Sequence, residues 1–242
     1  MSSPVIVLWS APRSRSTAFF RSMLERGDLL ALHEPLEGLA YIGPIEVGTR
    51  TFTTPESLMS WLLGDTGQRV FIKETVNPAV LEKVIADDRF LREARHAFLV
   101  RDPLQIAASW WALEGDMRIF DTGVEALYEL FVAVRAAGGE LPVVIDADDL
   151  VVHPAVTMRA FCDALDLPFI ADALRWEAGV PVAWARTARW HEDASASTGF
   201  VVPSSPDRHG FESHDEVRRF ATHHRPFYEA LRAHLVRPAS EA

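Results

Sequence analysis

The sequence predicts an α/β fold with three layers, α/β/α, around a central parallel sheet, and three observations carry that expectation. Short apolar runs near 4–9, 29–33, 69–73, 96–100 and 141–145 have the length of buried strands, the first of them rich in β-branched residues. Segments near 16–26, 78–87, 103–113, 121–137 and 153–165 place apolar residues at helical spacing. The two kinds alternate, which is the signature of successive βαβ units with parallel strands. Residues 1–242 read as a single domain, since this length supports one full α/β core and demands no second.

The first strand, Val5 to Trp9, leads into Pro12-Arg13-Ser14-Arg15-Ser16-Thr17, after which Ala18, Phe19, Met23 and Leu24 begin a helical stripe. A loop that opens a helix turns unpaired N–H groups and the positive end of the helix dipole towards one spot, which suits a phosphate or sulfate. Arg13 and Arg15 add forked donors, and Ser14, Ser16 and Thr17 add hydroxyls. The loop has no G-x-x-x-x-G-K-[ST], so it lacks the lysine and the metal-holding hydroxyl of an ordinary ATPase or GTPase.

The second strand, Leu29 to Leu32, ends on His33-Glu34-Pro35. The third, Val70 to Ile72, ends on Lys73, and only Lys73 and Lys83 among the basic residues are lysine. Arginine does not give up its proton near neutral pH and lysine can, so a lysine at the open end of a parallel sheet points to a ligand. Lys83, beside Glu82 and Asp87, reads as a solvated helix residue. The fourth strand, His96 to Val100, turns through Arg101-Asp102-Pro103 into a helix that carries Ser109, with Pro103 suited to the first helical turn. In the 121–137 helix Val124, Leu127, Leu130, Phe131 and Val134 are core. A last helix begins near Ser213, whose spacing to Glu216 fits a capping box, and Pro226 is expected to kink or restart it.

Two segments, 36–68 and 176–211, are long for plain connections. The first carries Tyr41, Phe52, Met59 and Trp61, and the second Trp176, Trp184, Trp190 and Phe200 among Arg186, Arg189 and His191. Such segments serve as lids or substrate walls, or else their aromatics anchor them to the core. Ser197-Thr198-Gly199 is a further candidate phosphate contact, whereas the histidines at 209, 214, 223 and 224 read as surface residues.

A formal net charge of −10 argues against broad binding to nucleic acid or an anionic membrane, so any anion site must be local. The N-terminus has no signal-peptide pattern and no apolar run is long enough to span a bilayer, which gives an expectation of a soluble, cytoplasmic protein. Cys162, the single cysteine, lies among apolar neighbours and reads as packing.

Taken together, the loop, Lys73 and the Arg101 turn resemble the sulfotransferases that use 3′-phosphoadenosine 5′-phosphosulfate (PAPS), a family with a P-loop NTPase-like architecture. Pro12-Arg13-Ser14-Arg15-Ser16-Thr17 is similar to the family's Pro-Lys/Arg-Ser-Gly-Thr/Ser-Thr loop, with Arg15 where glycine is usual. That departure either shifts the backbone or adds a sulfate contact. Arg101-Asp102-Pro103 and Ser109 match the motif for the donor's 3′-phosphate, spacing included, and Val143 to Leu150 resembles the family's next strand and turn. Lys73 matches the lysine that neutralises the leaving phosphate. Many eukaryotic members have a histidine base two residues after that lysine, where this chain has Thr75; some bacterial members have a Glu-Pro pair like Glu34-Pro35.

The resemblance implies an enzyme that moves a sulfuryl group from PAPS to a hydroxyl, less readily an amine, of a small-molecule acceptor. It implies adenosine 3′,5′-bisphosphate (PAP) as product and no metal. Glu34 is the favoured base, with a pKa expected to be raised by like charge and partial burial, and His33 and Glu74 are the reserves. Two rivals stand beside this reading: a non-catalytic relative that binds nucleotide or a protein partner, and a kinase-like phosphotransferase.

Overall fold

The computed structural model describes residues 5–117, 123–181, 184, 195–201, 210–211 and 213–236. In chain order the elements are β1 (Ile6–Ser10), α1 (Ser16–Glu25), β2 (Leu30–His33), α2 (Pro35–Tyr41), β3 (Ile45–Val47), β4 (Arg50–Phe52), α3 (Pro55–Leu62), β5 (Val70–Thr75) and α4 (Pro78–Ile85). They continue with α5 (Asp88–Glu93), β6 (Arg95–Val100), α6 (Pro103–Glu114), α7 (Val124–Ala137), β7 (Val143–Asp146), α8 (Ala147–Val152), α9 (Pro154–Ala164) and α10 (Asp215–Arg232). A 3-10 turn at Ala171–Leu174 lies between the last two.

The expected parallel sheet is present, with strand order β2-β5-β1-β6-β7. β1 is central: Leu8 stands opposite Lys73 of β5 and Ala97 of β6, while His33 on the edge strand β2 also stands opposite Lys73. Side chains alternate across the sheet. Val7, Trp9, Ile72, Phe98 and Val100 face a core built with α2 to α7 and α10. Ile6, Leu8, Phe71, Leu99 and Ile145 face a second core with Phe19, Phe20 and Met23 of α1 and Met158 and Phe161 of α9. Cys162 is buried in that second core, as its neighbours imply. Later strands are added on both sides of β1, so the crevice above its carboxyl end is the point where an open α/β sheet takes a ligand.

The structure adds detail to two expectations and corrects a third. The 36–68 segment folds as helix, hairpin and helix, with β3 and β4 paired antiparallel and Leu58, Met59 and Leu62 buried. These elements are too short to show a clear period, and Pro55 starts α3 under a Thr54 cap. Pro226 lies inside α10, which runs on to Arg232; Phe220 and Ala221 before it and Tyr228 and Leu231 after it are buried, so packing on both sides outweighs the lost hydrogen bond. Ser213 does not cap α10: His214 is the N-cap residue, and the Ser213 hydroxyl donates to the Gly210 carbonyl at 2.7 Å.

Candidate active site

Each strand of the central sheet delivers polar residues to one edge where its apolar run stops. After β1, Arg13 and Arg15 adopt left-handed backbone, with φ of 60° and 63°. Residues of this kind turn successive N–H groups to a common side, at about 1–2 kcal/mol for each one that is not glycine. α1 then starts with no acidic residue in its first turn and no side-chain cap, which leaves its N-terminal dipole to an outside anion. Ser14 and Ser16 are buried and Thr17 is half-buried. Ser14 Oγ has no hydrogen-bond partner among the described residues, as a loop shaped for an anion would leave it.

Arg15 keeps the left-handed conformation that makes glycine suitable at such a position. Its guanidinium donates to Asp148 Oδ1 at 2.5 Å, to the Ala147 carbonyl at 3.1 Å and to Gln105 Oε1 at 3.4 Å. The start of α8 thus holds the loop from the side.

Arg101 and Ser109 are both buried and both meet this loop. Arg101 donates to the Arg13 carbonyl at 2.6 Å and to Gln105 Oε1 at 3.2 and 3.3 Å, while Arg13 Nε donates to Ser109 Oγ at 3.1 Å. Asp102 caps α6 by accepting from Leu104 N at 2.8 Å and also holds Arg225 of α10. Gln105 was not singled out from the sequence. It lies on the face of α6 that carries Ser109 four residues on, accepts from Arg101 just before the helix, and also donates to Asp148 at 3.0 Å.

Lys73 is 2 % exposed, and its ammonium is ion-paired with Glu34 and donates to Thr75 Oγ1 at 3.1 Å. The Thr75 hydroxyl donates to the same Glu34 oxygen at 2.5 Å. The residue two after the lysine therefore supports the carboxylate. Glu34 itself has left-handed backbone, φ 49°, at the junction of β2 and α2. Burial would raise its pKa, but the Lys73 and His33 charges and the hydrogen bonds from Lys73 and Thr75 outweigh it and hold the carboxyl at about 2. The expected upward shift is reversed because its nearest charge is a cation.

The two reserves are occupied. His33 Nδ1 lies 3.5 Å from Glu34 Oε2, and its ring packs against Phe20 and Trp184. Glu74 points to the other face of the sheet, where its oxygens accept from Leu36 N at 2.5 Å and Glu37 N at 3.4 Å and so cap α2 in trans. Complete burial pushes the Glu74 pKa up.

Elsewhere, Ser197 accepts from Trp176 Nε1 at 3.2 Å and Thr198 O from Trp176 N, ties that anchor this segment to the chain before it. Arg186, Arg189, Trp190, His191 and His209 lie outside the described residues. His224 corrects the surface reading: it is buried beside Gly123, its Nδ1 accepts from Glu125 N at 3.2 Å, and it lies near His223 and Glu125. With Nδ1 so engaged and Nε2 packed on Gly123, that group is a helix-to-helix tie.

A family model described as "Sulfotransferase domain" matches residues 62–235. The chain belongs to the sulfotransferase family. That match includes Lys73, Arg101 and Ser109 but starts after the first loop and Glu34. The branched-chain-amino-acid aminotransferase-like protein 2 of Arabidopsis thaliana is 31% identical over 98% of this chain. The sulfotransferase spans less than half of that relative, 43% of its length. Among solved structures, the sulfotransferase domain of the Synechococcus PCC 7002 olefin synthase aligns with a TM-score of 0.54 at 16% identity, over 92% of this chain and 94% of its own. A sulfotransferase from Alicyclobacillus acidocaldarius aligns with a TM-score of 0.53 at 12% identity, over 99% and 98%. At these identities they show a shared fold. No helix among the described residues of this sulfotransferase is long and apolar enough to cross a membrane.

Proposed function

We propose that this sulfotransferase takes PAPS as donor and moves its sulfuryl group to a hydroxyl, less readily an amine, of a small-molecule acceptor. The observation that carries the reading is the Lys73–Glu34–Thr75 group beside the anion-shaped loop at the open end of β1. Arg13, Ser14, Arg15, Ser16 and Thr17 form the cradle for the donor's 5′-phosphosulfate, and the orphaned Ser14 hydroxyl fits such an occupant. Arg101 and Ser109 take the 3′-phosphate. PAPS is the sulfuryl source and PAP the product.

Lys73 and Glu34 neutralise each other in the resting pair. In the reaction Lys73 turns its ammonium to the oxygen that bridges phosphate and sulfur, where negative charge grows as that S–O bond breaks. Glu34, freed of its cation, gains basicity and takes the acceptor's proton as the new O–S bond forms. Thr75 holds the carboxylate in place through both states, and His33 lies beside it. The acceptor is a small molecule with an apolar or aromatic portion, and the chain works in the cytoplasm; a formal net charge of −10 suits neither nucleic acid nor an anionic membrane as partner.

Calorimetric titration with PAP, and in parallel with ATP with and without magnesium, tests the donor assignment. Tight, metal-independent binding of PAP in preference to ATP is the expected result. Failure to bind PAP, or preference for magnesium-ATP, overturns it in favour of a phosphotransferase or an interaction protein.

A further inference from the structure

Behind Glu34 stands a carboxyl that the steps above leave unused. Glu37 lies three residues on from Glu34, in the first turn of α2, half-buried, with its carboxyl beside that of Glu34. Lys73 and Glu74 of β5 lie against it, the first by charge and the second through the Glu37 N–H, and His33 lies beyond Glu34. From α4 comes Asn77, which caps that helix through Oδ1 and accepts from the Tyr41 hydroxyl at 3.2 Å. Asn77 is buried, and its side chain lies against the Glu37 carboxyl, favouring the charged form of that group. Next along α2 come Ala40 and Tyr41, both exposed. The cluster is thus a row of groups leading from the reacting edge to water.

We propose that Glu37 is the proton outlet of the sulfuryl-transfer site, receiving from Glu34 the proton that Glu34 takes from the acceptor and passing it to solvent. The proposal rests on the reading of Glu34 as base. In balance, the acceptor O–H breaks as its O–S bond forms, the bridging O–S bond breaks onto the leaving phosphate, and the proton moves from Glu34 to Glu37 to water. Glu34 is then an anion again and can pair with Lys73. Two adjacent carboxylates in a buried site do not both ionise cheaply, so one proton shared between them is the stable arrangement once Lys73 has turned away. Burial and the Glu34 charge already push the Glu37 carboxyl up to about 7, where it can both accept and release a proton. Glu37 acts through Glu34 and is a positioning residue.

Two measurements test this. In carboxyl-carbon NMR of the ligand-free protein, one titration near neutral pH should vanish in Glu37→Gln and move to lower pH in Glu34→Gln. Absence of that titration, or one that Glu34→Gln leaves in place, overturns the proposal. In steady-state assays with PAPS and a hydroxyl acceptor, Glu37→Gln should lower kcat on the order of 10-fold with an unchanged KM for PAPS. Added imidazole should restore the rate in proportion to its concentration and flatten the acid limb of the pH profile. An unchanged kcat overturns the outlet, and so does a loss that imidazole does not restore, which marks a packing role. Those results leave wild-type turnover intact, so they are distinct from failure of the sulfotransfer reading, in which the wild type neither binds PAP nor transfers a sulfuryl group and the outlet falls with it.

Discussion

Lys73 and Glu34 are a buried ion pair to which the proposed reaction gives two states. Each is tolerated inside because the other neutralises it, and removing one partner of such a pair costs about 3–5 kcal/mol in general. The roles assigned to Lys73 and Arg101 predict a division of effects. Lys73→Met should lower turnover by about 10²–10³-fold, the loss typical of one preorganised charge-stabilising donor, while PAP affinity changes by no more than a few-fold. Arg101→Ala should instead weaken PAP binding by about 10-fold or more, because a charge-assisted contact is lost and the Arg13 carbonyl loses its anchor. Calorimetry and steady-state rates on both variants check this; equal losses of affinity and turnover in each would remove the division. Lys73 was legible in the sequence because the chain otherwise uses arginine almost everywhere. Thr75, Gln105 and Glu37 were not, since a hydroxyl, an amide and a carboxyl acquire meaning only from what the fold sets against them. Gln105 had a signal in its four-residue spacing from Arg101 and Ser109, but a glutamine on a helix has many bland uses.

At the scale of elements, the loop between β1 and α1 is held by its neighbours. Arg101 of the β6–α6 junction holds the loop's Arg13 carbonyl, α6 supplies Gln105, and α8 supplies Asp148 and the Ala147 carbonyl, so Arg15 links α1 to both helices. Arg15→Gly and Arg15→Ala both lose the Asp148 bridge, but only glycine adopts φ of 63° at no steric cost. The glycine variant should therefore be more stable than the alanine variant by about 1 kcal/mol, measured by urea unfolding. Equal stabilities, or alanine ahead, would show that the loop does not keep this backbone in solution. The five strands of the sheet were legible from short apolar runs that alternate with helical patterns. The helix–hairpin–helix of 36–68 was not, because three-residue strands and seven- or eight-residue helices carry too little period and take their stability from burial of Leu58, Met59 and Phe52. At Pro226 propensity predicts a kink or a restart; tertiary packing on α6 and α7 carries the helix through without a restart.

Across the whole molecule, buried titrating groups of opposite tendency oppose one another as pH falls. His96 accepts from Trp9 Nε1 at 2.9 Å and is buried in the sheet, and burial lowers its pKa to about 4; burial and then the His223 charge lower that of His224 to about 4 as well. Between the ordinary histidine value near 6.5 and about 4, the unfolded chain holds more protons on these two groups than the native protein does, so their share of stability is lost as pH falls through that window. Glu37, Glu74 and Asp146 act in the opposite sense, since burial raises each above its ordinary value and the native state holds the extra proton. Their share is fully present below the ordinary carboxyl range and is lost as pH rises through the native pKa. Over pH 4.5–6.5 the two sets partly cancel, and removing one member should tilt the balance by up to about 1.4 kcal/mol per pH unit. His96→Gln, whose side-chain oxygen can still accept from Trp9, should make stability rise, relative to wild type, as pH falls. Glu74→Gln, which keeps an acceptor for the α2 N–H groups, should make it fall more steeply. Urea unfolding of the three proteins at half-unit pH steps gives the slopes directly, and because the prediction concerns slope it survives a uniform loss of stability in either variant. Parallel profiles would mean that these groups keep ordinary pKa values in the native state, and the reading of Glu74 as a buried, proton-holding cap of α2 would fall with them.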